Sequence, residues 1–289
     1  MDEILLKSED YMLVNKTRSL VAIVDSCLRN TEGEVKFYGN PKIGETSLTD
    51  CLASLCDFDG VCGSRGPDGY SIVGDSLFVM EHFEFDSTKV TKKGSSTRKE
   101  DDRISREFDA VISTDITVPF RDSYNISHSS QNYITNALSN ANAHYNKIDL
   151  YIDNLRECDK LSGINSIKTG FFIEDKSVLG NVCLERVRVE NLKVKNRPET
   201  NIRPIILCQT KQFLDWLGSN EKIDFCFCSS TYGDKSFVWF INREAICEYR
   251  KHEIDMEQIE ILNFTPQVGG FKIVISNDDM SPQGTGEQV

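Results

Sequence analysis

The sequence predicts a mixed α/β fold, a central sheet flanked by helices, in a single domain over residues 1–276 with a disordered tail at 277–289. Three observations predict it. Short apolar runs with two-residue alternation recur along the chain, as half-buried strands require. Between them lie stretches whose apolar residues fall at three- and four-residue spacing, the pattern of amphipathic helices. Hydrophobic residues make up 39% and charged residues 27% of the 289, enough apolar surface for a core and too much for wholesale disorder.

The elements follow in order. Tyr11 to Val14 and Leu20 to Val24 are apolar runs, the second continuing as a helix to Leu28. Thr46 to Cys56 reads as a helix capped by Thr46 or Ser47, with Leu48, Cys51, Leu52, Leu55 and Cys56 at helical spacing. Gly60 to Gly69 is a loop, rich in glycine and holding Pro67. A hairpin follows: Tyr70 to Val73, the turn signal Gly74-Asp75, and the return strand Leu77 to Asp86. Lys89 to Arg106, polar and centred on Gly94-Ser95-Ser96, reads as a mobile loop, and a short strand is expected within Asp109 to Val118. Gln131 to Cys158 is read as the longest helix, with Tyr133, Ala137, Leu138, Ala141, Tyr145, Ile148, Ile152 and Leu155 as its stripe. Strands are expected at Thr169–Glu174, Arg203–Cys208, Ile223–Cys228, Ser236–Ile241 and Phe271–Ile275, and a helix at Lys211–Leu217. Val194 to Ile202 is the stretch that best suits a domain boundary.

Composition narrows the function classes. No apolar run reaches the ~20 residues that cross a bilayer, and the acidic start Met1-Asp2-Glu3 is unlike a secretory signal, so a cytoplasmic protein without membrane contact is expected. The net charge of −12 argues against a protein that coats nucleic acid, though not against one local basic patch. Of ten cysteines, most lie in apolar runs such as Phe225-Cys226-Phe227-Cys228, where a thiol acts as a small hydrophobe. Cys51, Cys56 and Cys62 miss the paired spacing of a zinc site, so zinc is not expected. There is no phosphate-binding Gly-x-x-x-x-Gly-Lys-Ser/Thr sequence.

The chemistry concentrates in Glu81-His82-Phe83-Glu84-Phe85-Asp86, on the return strand of the hairpin that Pro67-Asp68 opens. Antiparallel neighbours lie about 5 Å apart. Two carboxylates held so can ligate a hard cation such as Mg²⁺ or Mn²⁺. Alternation sets Glu81, Phe83 and Phe85 on one face and His82, Glu84 and Asp86 on the other. A plain half-exposed strand shows the same alternation.

Pro67-Asp68, the variable hairpin and Glu81 resemble the restriction-endonuclease-like nucleases, whose signature is Pro-Asp followed by Asp/Glu-x-Lys. The likeness covers roughly Thr46 to Lys93 and includes a preceding helix, in which Glu45 would stand in for the family's accessory helix glutamate. The run from Glu81 to Asp86 with Lys92-Lys93-Gly94-Ser95 is also similar to uncharacterised bacterial proteins read as nucleases. The resemblance implies a restriction-endonuclease-like core with insertions and metal-dependent hydrolysis of DNA or RNA phosphodiesters, in a setting such as defence against foreign DNA. The family's lysine position is Phe83 here. Two assignments stay open. Either Asp68 and Glu81 bind Mg²⁺ or Mn²⁺ and a lysine arrives from Lys89, Lys92 or Lys93, or the working face is His82, Glu84 and Asp86 with Asp68 joining it. The catalytic candidates are therefore Asp68, Glu81, Glu84 and Lys93, and the metal candidates Asp68, Glu81, Glu84 and Asp86.

Seven basic residues against three acidic ones fill Lys89 to Arg106. Lys89, Lys92, Lys93, Arg98 and Lys99 are thus the candidate contacts to nucleic-acid phosphates. His128 and His144 stand apart from any carboxylate pair in sequence. The alternative reading is a noncatalytic interaction or regulatory subunit, a degenerate nuclease domain working with a partner protein or as a homo-oligomer. Its support is Phe83 and the acidic surface.

Overall fold

The computed structural model describes residues 19–31, 35–37, 42–58, 66–88, 90–91, 94–112, 119–123, 129–156, 163–177, 182–185, 201–204, 206–232, 235–261 and 267–271. Tyr11–Val14, Lys89, Lys92, Lys93 and the 277–289 tail lie outside them.

The chain enters through α1 (Leu20–Asn30), capped by Ser19, whose hydroxyl accepts from Ala22 N. Leu20, Ile23, Val24 and Cys27 give it one buried face. The short strands β1 (Val35–Phe37), β2 (Lys42–Ile43) and β3 (Thr46–Ser47) lead to α2 (Leu48–Ala53), capped by Ser47, and β4 (Cys56–Asp57). The hairpin is β5 (Gly69–Val73) and β6 (Ser76–Phe85). Its two-residue turn needs a left-handed residue, which Gly74 supplies at φ 62°. After β7 (Val90–Thr91) and β8 (Gly94–Ser95) comes α3 (Ser96–Ile112), then β9 (Pro119–Ser123).

The helical layer continues with α4 (Ser130–Tyr145) and α5 (Ile148–Arg156). Strands β10 (Ser166–Asp175), β11 (Val182–Glu185) and β12 (Asn201–Pro204) precede a 3₁₀ turn at Leu207–Gln209 and α6 (Lys211–Ser219). The hairpin of β13 (Phe225–Tyr232) and β14 (Lys235–Asn242), α7 (Ile246–Arg250), β15 (Ile259–Ile261) and β16 (Gln267–Phe271) complete the described chain.

Seven strands form the main sheet in the order β1-β14-β13-β10-β6-β5-β4. The β4-β5-β6 meander is antiparallel. β10 runs parallel to β6 and to β13, joined through the helical crossovers that parallel pairs need. β14 turns back on β13 and pairs in parallel with β1. Smaller sheets join β11 with β12 and β15, and β9 with β16.

Both faces of the sheet are covered. Phe78, Met80, Phe172, Phe225, Phe227 and Phe240 meet α1 and α2 on one side. Phe83, Phe85, Phe171, Ile173, Cys226, Cys228 and Ile241 meet α4 and α6 on the other. Gly170 permits close packing of the sheet, since a Cβ there would lie 2.2 Å from the Phe225 ring. Burial pushes the Cys226 and Cys228 thiols up, so they remain protonated core atoms. Among the described residues no helix is long and apolar enough to cross a membrane.

Several sequence expectations are corrected, among them the helix expected over 46–56, which spans only Leu48–Ala53 between two short strands. Residues 96–106 are helix rather than mobile loop, and α3 continues through 112, so 109–112 are not part of the strand expected within 109–118, whose remainder lies outside the described residues. The mixed charges there are a helix face: Arg103 pairs with Glu100 at 2.7 Å and Glu107 at 2.8 Å, while Ile104 is buried. The long helix expected over 131–158 is two helices, because Asn146 closes α4 through its backbone N–H to Asn142 and His144 carbonyls. The strand expected over 203–208 stops at Pro204, and Leu207–Gln209 turn as 3₁₀ helix instead.

Candidate functional site

Strand β6 outruns its neighbour. The β5–β6 ladder ends at Gly69 opposite Met80, so Asp68 stands across from Glu81. From His82 onward, the amides and carbonyls on that edge have no β5 strand to meet and must find other partners. Asp68 Oδ2 accepts from His82 N at 2.6 Å. Asn140 Nδ2 donates to the Glu84 carbonyl and Asn136 Nδ2 to the Asp86 carbonyl, each at 2.8 Å. The Asp of Pro67-Asp68 is thus a ladder terminator that leaves a carboxylate beside Glu81.

Glu81 lies 5% exposed on the face covered by α4 and α5. His144 Nδ1 donates to its Oε1 at 2.7 Å, and Tyr151 OH donates to the same oxygen at 2.9 Å. Glu81 Oε2 is buried and has no hydrogen-bond partner among the described residues. A void of about 10 Å³, room for roughly one water, adjoins it between Val79, Ile148, Tyr151 and Phe171. Asp68 is solvent-exposed. The protein packed around it and the Glu81 carboxylate nevertheless hold its pKa above the usual carboxylate range. Burial and Glu81 likewise push the Tyr151 phenol up, which keeps it a proton donor.

Phe83, where the resembled family has lysine, stacks on the His144 ring with centroids 5.0 Å apart at 15°. It fixes the imidazole that reaches Glu81. His144 is therefore brought to the Asp68–Glu81 pair from 63 residues away, a partnership not visible in sequence spacing.

The opposite face of β6 carries a second polar cluster. β10 is in register so that Glu84 pairs with Glu174. His82 Nε2 lies 3.0 Å from Glu174 Oε2. Lys176 Nζ lies 2.9 Å from Glu174 Oε1 and 3.8 Å from Glu84 Oε1. Cys27 Sγ of α1 stands 3.8 Å from Glu174 Oε1 and 3.4 Å from Ser229 Oγ. Burial alone would raise Glu174, but the His82 hydrogen bond and the Lys176 ammonium overcome it and hold the carboxyl at about 2. Burial pushes the Cys27 thiol up.

The sequence candidates thus divide between two faces. Asp68 and Glu81 are brought together on one, while Glu84 joins His82 on the other. Asp68 does not join the His82–Glu84 face. Asp86 accepts from Thr88 N at 2.9 Å and Thr88 Oγ1 at 2.5 Å, closing the turn after β6. Glu45 sits exposed in the β2–β3 turn, ahead of α2 rather than on it. Lys99 is exposed on α3, and Arg98 belongs to the same helix. Sequence reading missed His144, Tyr151, Glu174, Lys176 and Cys27. Glu174-Asp175-Lys176, charges ending an apolar strand, was the one local signal.

No protein-family model, curated protein or solved structure matches the chain.

Proposed function

We propose that the protein is a metal-dependent hydrolase of nucleic-acid phosphodiester bonds, with Asp68 and Glu81 as its metal-holding pair. One observation carries the reading: the register that sets Asp68 across from Glu81 leaves Glu81 Oε2 buried and without a partner among the described residues. An ionised oxygen in that position is costly unless something positive meets it. The donor set fits a hard cation, being two carboxylates with a solvent-open side for water ligands. Mg²⁺ or Mn²⁺ bound there would supply water activation and charge stabilisation at phosphorus.

The chain's own residues prepare the pair. His144 and Tyr151 fix one oxygen of Glu81 and leave the other unclaimed. Phe83 locks His144 by stacking. Asp68 is held in place by the His82 amide and is solvent-exposed, so a phosphodiester can approach it. Lys93 keeps the cationic role that the family resemblance gives it, with Lys89, Lys92, Arg98 and Lys99 as phosphate contacts. The β4-β5-β6 meander followed by a helical crossover to parallel β10 supports a restriction-endonuclease-like core. A setting in defence against foreign DNA belongs to the same reading.

The noncatalytic alternative is favoured by Phe83, which is buried and offers no charge at the lysine position. Incubation of the full chain with plasmid, linear and single-stranded DNA and with RNA in Mn²⁺ separates the two. We expect cleavage by the wild type and at least about a 100-fold loss in Asp68→Asn, the upper range for disturbing a metal site. Equal cleavage by both proteins would contradict the assignment.

A further inference from the structure

The cluster on the other face of β6 has a different chemistry. Its three arms come from two parallel strands: His82 and Glu84 from β6, Glu174 from β10. The side chains grade from enclosed to open, Glu174 at 9%, His82 at 15% and Glu84 at 35% exposure, which gives an ion a way in. One donor atom from each lies within 4.8 Å of the others. Around an ion with ligands at about 2.1 Å, tetrahedral donors sit roughly 3.4 Å apart, so side-chain rotation of an ångström or so closes the set. The cluster also occupies the carboxyl ends of parallel strands, where open α/β sheets bind ligands.

Charge supports an ion here. Glu84 and Glu174 are direct cross-strand neighbours, and like charges so placed repel. The ammonium of Lys176 now reaches both, from a side chain 41% exposed and free to swing outward. A nitrogen donor with two carboxylates suits a borderline transition ion better than Mg²⁺ or Ca²⁺, which take oxygen ligands. The Cys27 thiol against Glu174 is an outer partner that helps orient the carboxylate.

We propose that His82, Glu84 and Glu174 form a binding site for a divalent transition ion of the Zn²⁺ class, in which Lys176 is the resident cation that the metal displaces. The cysteine spacings gave no sign of such a site because none of its three ligands is a cysteine. It does not depend on the hydrolase reading, since it shares no side chain with Asp68 and Glu81.

Zn²⁺ titration of the full chain against a chromophoric chelator tests it, with far-UV circular dichroism to confirm folding. The wild type and Glu81→Gln should each hold one tight Zn²⁺. His82→Ala and Glu174→Gln should weaken it at least about tenfold. Glu84→Gln, at the open corner and safest for folding, should do the same. Lys176→Met should tighten binding about 2- to 5-fold, the range of one exposed ion pair. Co²⁺ should give visible absorption that the His82 variant lacks. Unchanged Zn²⁺ affinity in folded Glu84→Gln and His82→Ala would overturn the site, as would loss of the ion in Glu81→Gln alone.

Discussion

The two faces of strand β6 bear polar clusters back to back, solved differently. On the His82–Glu84 face the acids carry their own counter-charge, Lys176, and a histidine. Glu174 is correspondingly held ionised, at about 2. On the Glu81 face the carboxylate meets only a phenol and an imidazole on one oxygen, and nothing among the described residues on the other. A self-neutralised cluster can stand as a structural tie. A buried carboxylate left half-partnered costs stability, and such a cost is retained at functional sites.

The comparison breaks most readily through Glu81. Glu81→Gln keeps the side-chain shape and the Tyr151 bond while removing the charge. Mn²⁺ affinity measured by calorimetry should fall at least about tenfold, with the thermal midpoint unchanged or raised. An unaltered Mn²⁺ isotherm would mean that Asp68 and Glu81 do not hold the ion.

Acid titration sharpens the other face. Glu174 has a folded pKa near 2 against 4.5 for the free group, so its contribution is complete above about pH 4.5 and is lost as pH falls towards 2. Denaturant unfolding should therefore find Glu174→Gln less stable than wild type at pH 7 by on the order of 2–3 kcal/mol, with the gap closing between pH 4.5 and 2. A gap that persists at pH 2 would show that packing, not charge, sets the loss.

Tyr151→Phe removes one of the two donors to Glu81 Oε1. It should lower stability by about 1–2 kcal/mol and leave Zn²⁺ binding untouched, read by denaturant midpoint and metal titration together. Asp86→Ala should do least, about 1 kcal/mol from the lost Thr88 bonds, with no change in either metal titration.

Local pattern made much of the frame legible. Alternation gave β6 and the facing of Glu81 against His82 and Glu84. Gly74-Asp75 gave the turn, Ser47 the cap of α2, and Pro67-Asp68 the start of β5. The rest needed tertiary information. Glu174 meets Glu84 only because β10 pairs with β6 in one particular register, which no local rule sets. His144 reaches Glu81 through the packing of α4 on the sheet, and its ring is steered by Phe83. The charge run after Gly94-Ser95 read as loop because its residues are polar all round. Pairs such as Glu100–Arg103–Glu107 support the helix there, and the buried Ile104 gives it an apolar anchor.

The central claim is that phosphodiester chemistry belongs to the Glu81 face and not to the Glu84 face. The direct test is the initial rate of Mn²⁺-dependent plasmid cleavage by Glu81→Gln and Glu84→Gln, run side by side with wild type. The account predicts a loss of about 100-fold or more in Glu81→Gln, and a rate within about twofold of wild type in Glu84→Gln. Full activity in Glu81→Gln with loss in Glu84→Gln would place the chemistry on the opposite face and contradict it.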